Sequence, residues 1–235
     1  AMGIDYRRIQ FTSDMVPSDI IGFSVYDKAS GALQYKPGAV MCNLLLADEI
    51  NRTSSKTQSA LLEVMEERQV TIDGVTHPVP DPFTVIATQN PVGTAGTQLL
   101  PQAQLDRFMI RLQIGRPDFA SLVNILTDRR ASNPLDSVER VTDADGIREM
   151  QKAVSEVGAD RAIVEYISHL SEATHEHAAV LLGLSPRGSL AVLKMAQARA
   201  YVQGRDFVIP EDVMDVFQDV CSHRLVLQAK SRMEK

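Results

Sequence analysis

Apolar and polar positions follow two regimes along the chain, short strand-like runs in the first half and helical spacing in the second. Arg8-Ile9-Gln10-Phe11-Thr12 alternates with period two, as a half-buried strand does. Pro17-Ser18-Asp19-Ile20 places a proline in the first turn of a short helix, where its missing N–H costs nothing. Phe23 to Tyr26 and Ala32 to Tyr35 flank a turn-rich stretch from Asp27 to Gly31, which predicts a hairpin between Gly22 and Gly38. Leu44-Leu45-Leu46-Ala47 is a continuous apolar run suited to a central parallel strand covered on both faces, and it stops at Asp48-Glu49. Ser55 to Arg68 has helical spacing, with Leu61, Leu62 and Met65 on one side and Glu63, Glu66 and Glu67 on the other. Asp73-Gly74 predicts a second hairpin turn between Gln69–Ile72 and Val75–Val79. Phe83 to Thr88 predicts a second buried strand, stopped at Gln89-Asn90-Pro91, and Met109 to Ile114 a third.

Arg116-Pro117 marks the expected domain boundary. Beyond it the spacing predicts helices over Asp118–Arg130, Asp145–Val157, Asp160–His177, Pro186–Gln203 and Pro210–Met233. Strands interleaved with helices and then a helical block predict an α/β domain over residues 1–116, followed by an all-α lid over 117–235.

Composition narrows the classes. The chain has 235 residues, 44% of them hydrophobic, enough for a real core. Twenty-four basic against thirty acidic residues give a net charge of −6, which argues against a constitutive nucleic-acid binder. The longest apolar run, Ala178 to Leu184, is far short of the ~20 residues a membrane span needs. Cys42 and Cys221 stand far apart as lone thiols, which suggests a reducing, cytoplasmic setting. Ala1-Met2-Gly3 reads as a cloning scar.

The chemistry begins at Asp48-Glu49. Two adjacent carboxylates at the C-terminal end of a buried strand lie where open α/β sheets bind their ligands. One can hold Mg²⁺ through water, and the next, pointing the other way, can orient or deprotonate a nucleophilic water. This is the Walker B pattern, and a solvated acidic turn fits the same residues. At the end of the next strand, the Asn90 amide could bond a terminal phosphate and an attacking water. Arg107, in Gln104-Leu105-Asp106-Arg107-Phe108, has the guanidinium of an arginine finger, or of a surface ion pair to Asp106. Arg187 opens a helix after Ser185-Pro186; an anion would relieve its unfavourable dipole position, and an exposed arginine is the plainer reading. His169, Glu172 and His175 share one helix but hold a di-iron-type spacing only once, so a solvated surface is the better reading.

Asp48-Glu49-Ile50-Asn51-Arg52, the run from Lys56 to Val70, Val85 to Pro91 and Ala103 to Phe108 together resemble the MoxR family of AAA+ ATPases, in the family's order. Arg8–Thr12 and Ser185-Pro186-Arg187 extend the likeness to nearly the whole chain, and the two hairpins resemble insertions shared with magnesium-chelatase subunits and minichromosome-maintenance helicases. The resemblance implies a partial AAA+ parallel-sheet sandwich with hairpin insertions and a helical lid. It also implies ATP and Mg²⁺ as cofactors, with Asp48 and Glu49 as Walker B, Asp48 at the metal and Glu49 as base. By the same likeness Asn90 is sensor 1, Arg107 a finger acting on a neighbouring subunit, and Arg187 sensor 2. Hexameric rings and chaperone-like remodelling of client proteins, metalloenzymes or proteins with a von Willebrand A domain, are expected with it.

One part of the pattern is missing: no Gly-x-x-x-x-Gly-Lys-Ser/Thr phosphate loop occurs. Ser54-Ser55-Lys56-Thr57 lacks the glycines, and Gly93-Thr94-Ala95-Gly96-Thr97 lacks the lysine. The expectation is a chain that starts after the loop, leaves sheet edges open and neither binds ATP tightly nor hydrolyses it. Gln102 stands where relatives often carry an acidic residue. A non-catalytic scaffold and a metal-chelatase subunit are the alternatives.

Overall fold

The computed structural model describes residues 1–90, 100–128 and 137–229. Its first half is built on a parallel sheet of three strands, β1 (Tyr6–Gln10), β4 (Leu44–Asp48) and β7 (Thr84–Ala87), with β4 in the centre. The register pairs Gln10 with Asp48 and Ala47 with Ala87, so all three strands end together at one edge. The Leu-rich run of β4 is central, but its two faces differ: Leu45 and Ala47 are fully buried on one, whereas Leu44 and Leu46 on the other are only half-buried, so the cover expected on both faces is complete on one. Burial of a leucine side chain of this kind contributes roughly 2 kcal/mol.

Helix α1 (Pro17–Ile21) runs directly into the hairpin β2 (Gly22–Asp27) and β3 (Ala32–Pro37). Gly22 is required at that joint: its φ is 91°, and a Cβ there would lie 2.3 Å from the Lys36 carbonyl oxygen. After β4 a 3₁₀ turn at Ile50–Arg52 leads to α2 (Ser55–Glu67), whose first turn is capped by the Ser54 hydroxyl accepting from the Thr57 N–H at 3.3 Å. The second hairpin, β5 (Gln69–Ile72) and β6 (Val75–Pro78), turns through Asp73-Gly74 with φ of 50° and 78°, the left-handed pair such a turn demands. Tyr35 of the first hairpin stacks on His77 of the second, ring centres 4.0 Å apart.

The short α3 (Gln102–Leu105) precedes α4 (Phe119–Asp128), α5 (Ala144–Glu156), α6 (Arg161–Glu176), α7 (Pro186–Val202) and α8 (Pro210–Cys221). Asp143, Asp160 and Ser185 cap α5, α6 and α7. Two separate cores result. Phe11, Ile20, Leu45, Leu61 and Phe83 belong to the first; Ile163, Val192, Ala196, Val213 and Val220 to the second.

Three expectations are corrected. Met109–Ile114 forms no strand: Leu112 and Ile114 stand exposed, and no strand among the described residues pairs with the segment. Alternating apolar residues become a strand only beside a free edge within reach. The last helix ends at Cys221, because the chain turns there to carry His223 and Arg224 inward. The helical half also holds a small sheet, β8 (Val180–Leu182) with β9 (Val226–Leu227), which uses part of the long apolar run. The free edge of β7 fits the expectation of an open sheet: among the described residues β7 pairs only with β4, and Ile86 is half exposed. The glycines at 93 and 96, the basic residues 129, 130, 230, 232 and 235, and the ends of the helices expected over 118–130 and 210–233 lie outside the described residues. Among the described residues no helix is long and apolar enough to cross a membrane.

Candidate nucleotide site and arginine pair

The acidic pair lies at the carboxyl edge of the sheet, where β4 stops. Asp48 is half buried; the Thr88 hydroxyl donates to its Oδ1 and the Arg8 guanidinium to its Oδ2, at 2.6 Å for the latter. These donors, Thr88 first and Arg8 second, hold the Asp48 carboxyl below its ordinary value. The same Thr88 hydroxyl accepts from the Glu49 N–H at 2.9 Å, so one side chain ties the end of β7 to both acids. Glu49 has a left-handed backbone, with φ of 54°. Its carboxylate and that of Asp48 are met by Gln10 and Arg8, neighbours on one face of β1, so the pair is not turned to opposite sides as simple alternation predicts. That carboxylate accepts from Gln10 Nε2 at 2.9 Å and from Arg52 at 3.1 Å.

Asn90 lies at the same edge. The buried Asn51 donates its amide to the Asn90 carbonyl oxygen at 3.1 Å, linking the turn after β4 to the turn after β7. The Asn51 Oδ1 is buried and makes no hydrogen bond among the described residues. Asp48, Glu49 and the backbone of Asn90 therefore lie at one edge of the sheet.

Arg107 and Arg187 are not brought to that edge. Both pair with the carboxylate of Glu66, Arg107 at Oε2 and Arg187 at Oε1. Helix α2 runs from the carboxyl edge, where Gln58 donates to the Ile50 carbonyl at 3.0 Å, to the amino edge, where Arg68 donates to the Phe83 carbonyl. Ser55 to Glu66 spans about 16 Å along that axis. A cleft of about 590 Å³ lined by Ser59, Glu63, Glu66, Gln104 and Arg107 opens beside the pair. Asp106 does not make the surface ion pair with Arg107 that the sequence allows; it turns to Arg224 at 2.9 Å. His169 and Glu172 are solvated, 3.6 Å apart, whereas His175 reaches the Leu184 carbonyl at 3.0 Å.

Arg8, Gln10, Thr88 and Glu66 touch these groups without being marked as site residues by the sequence, and Asp106 takes Arg224 instead of the neighbour the sequence offered it. Arg8 and Gln10 could have been found from period-two spacing on a strand beside the acidic one, and Thr88 from its place at a strand end two residues before Asn90. Nothing in local spacing marks Glu66 or Arg224.

As a hard oxygen donor held ionised at the sheet edge, Asp48 fits a divalent cation and with it a nucleoside phosphate. The family described as "ATPase family associated with various cellular activities (AAA)" matches residues 1–110, and the AAA lid domain matches 172–235. YeaC of Bacillus subtilis (strain 168), an uncharacterized protein, is 46% identical over 234 residues, covering 100% of this chain and 73% of YeaC. Chaperone MoxR1 of Mycobacterium tuberculosis is 41% identical over 235 residues, covering 96% of this chain but 62% of MoxR1. A crystal structure of a candidate ATPase from Cytophaga hutchinsonii superposes with a TM-score of 0.90 at 37% identity, over 99% of this chain and 73% of that one. Fold and matches define an AAA-type α/β core followed by its helical lid. Within that class, the chain belongs to the MoxR family of AAA+ ATPases.

Proposed function

We propose that the full-length protein hydrolyses ATP at sites shared between protomers of a ring, and uses the cycle to remodel or activate partner proteins. Residues 1–116 serve as the nucleotide-binding core and 117–235 as the lid. One observation carries this reading: the carboxylates and Asn90 lie at one edge of the sheet, while both arginines converge on Glu66 near the other. Each chain thus offers two unlike halves of a site. Two such halves meet when protomers pack head to tail, an arrangement that closes into a ring.

Asp48 would hold Mg²⁺, which neutralises phosphate charge and orients the phosphate chain when bound. Glu49 accepts the proton of the attacking water. To do so its carboxylate leaves the hydrogen bonds from Gln10 and Arg52, both solvent-side partners that exchange readily. Asn90 orients the water, its backbone steadied by Asn51. Arg107 and Arg187 of the neighbouring protomer release Glu66 and take up charge on the transferring phosphoryl group; guanidinium forks suit its oxygens. The hairpin β2–β3 supports a client-facing role, because Phe23, Tyr26 and Leu33 stand exposed along it. A metalloenzyme or a protein with a von Willebrand A domain is the client class.

These 235 residues contain no Gly-x-x-x-x-Gly-Lys-Ser/Thr phosphate loop. By themselves they are therefore expected neither to bind ATP tightly nor to hydrolyse it, and micromolar ATP affinity by calorimetry would contradict that. In the full-length protein, Glu49→Gln is expected to retain ATP binding while turnover stops. Normal turnover in that variant removes Glu49 from its role.

A further inference from the structure

Between the two cores lies a buried polar knot. Arg224 is 4% exposed, and its guanidinium bonds chiefly to one short segment, 106–109, with a further bond to the Val220 carbonyl near the end of α8. Its Nε donates to Asp106 Oδ1 at 2.9 Å, one Nη to the Phe108 carbonyl at 2.6 Å and the other to the Met109 carbonyl at 3.0 Å. His223 Nε2 lies 2.9 Å from the same Phe108 carbonyl, and Gln102 Nε2 donates to the His223 carbonyl at 2.8 Å. The second carboxylate oxygen of Asp106 accepts from the Ser185 hydroxyl at 2.9 Å, and that hydroxyl caps α7 by accepting from the Gly188 N–H at 3.1 Å.

The ends of this knot are sequence neighbours of the two arginines. Asp106 is one peptide from Arg107, and Ser185 lies two residues before Arg187. A shift of α7 alone against the 106–109 segment would break the Asp106–Ser185 bond. A shift of the lid as a whole, α7 with the turn after α8, would also part the buried Arg224 guanidinium from Asp106, which is strongly unfavourable. The planar fork with donors on three nitrogens matches this acceptor set; a lysine ammonium does not.

We propose that Asp106 and Arg224 are positioning residues that clamp the finger segment to the lid, fixing Arg107 and Arg187 as one unit aimed at a single phosphoryl group. This rests on the reading of those arginines as the half-site offered to a neighbour. The clamp itself touches no substrate; it acts through the two guanidiniums. A lid movement then carries the finger with it, and a misplacement on the order of 1 Å costs about 10²-fold in rate.

The test uses the full-length protein. Arg224→Lys keeps the charge but not the fork, and is expected to lower kcat by about 10²-fold. Mixed with Glu49→Gln protomers, it should regain turnover as an Arg107→Ala protein does, because its own Walker B half is intact and the finger comes from its partner. A merely structural defect would spoil both halves and would not be rescued. Normal kcat in Arg224→Lys overturns the clamp. So does a loss that Glu49→Gln protomers fail to rescue while they do rescue Arg107→Ala. If neither mixture recovers, the shared-site reading itself fails and the clamp with it. Should Arg224→Lys not fold by circular dichroism, Asp106→Asn is read by the same criteria.

Discussion

Arg187, in the first turn of α7, is ion-paired to Glu66 in the last turn of α2, 121 residues away in sequence. Arg107 takes the other oxygen of the same carboxylate. A carboxylate gripped by two guanidiniums resembles two oxygens of a phosphoryl group in the same grip. Arg107→Ala in the full-length protein is expected to lower kcat by ~10³–10⁵, read by single-turnover hydrolysis. Arg187→Ala should lower it in the same assay. A normal rate in either variant removes that arginine from the site.

Thr88 joins β7 to both acids through one hydroxyl. Thr88→Val keeps the shape and removes the bonds to Asp48 Oδ1 and the Glu49 N–H. The expected loss of stability is about 1 kcal/mol, measured by urea unfolding, together with weaker Mg²⁺-ATP binding by calorimetry. Unchanged affinity would show that Asp48 needs no such orientation.

Asp212 is buried in the first turn of α8. Arg205 first, and then the Ile209 N–H at 2.9 Å, hold its carboxyl below the ordinary value of 3.8. A depressed carboxyl binds protons in the unfolded chain first. Its contribution is therefore complete above that ordinary value and is lost as pH falls through the lower native one. Asp212→Asn should cost about 3 kcal/mol near pH 7, and the gap between variant and parent should shrink below pH 4 in urea titrations. A gap that stays constant down to pH 2 would contradict the pairing.

Much of the site's sheet edge was legible in the sequence. Leu44–Ala47 and Phe83–Thr88 announce strands by their apolar runs, and both hairpins by their turn residues, because those signals are local. The burial expected of the second strand is not found, since among the described residues β7 lies at a sheet edge with Ile86 exposed. Met109–Ile114 misled because its alternation says nothing about which edge is available for pairing. Pro210–Met233 overran because the stop at Cys221 comes from Arg224 reaching Asp106, a contact 118 residues apart that no periodicity records. Glu66 was expected on a solvated face for the same reason: its partners come from two other parts of the chain. Asp48, Glu49 and Asn90 were readable as a set only through their order along two strands, and their meeting at one edge follows from the parallel register.

The shared site is tested most directly by mixing two inactive full-length proteins, Glu49→Gln and Arg107→Ala, and measuring ATP turnover. In mixed rings about one interface in four joins an intact Glu49 to an intact Arg107. Turnover should therefore rise from near zero to about a quarter of the unmodified rate. A mixture as inactive as its components, in rings shown by native mass spectrometry to contain both, would mean that Glu49 and Arg107 do not serve one nucleotide across an interface.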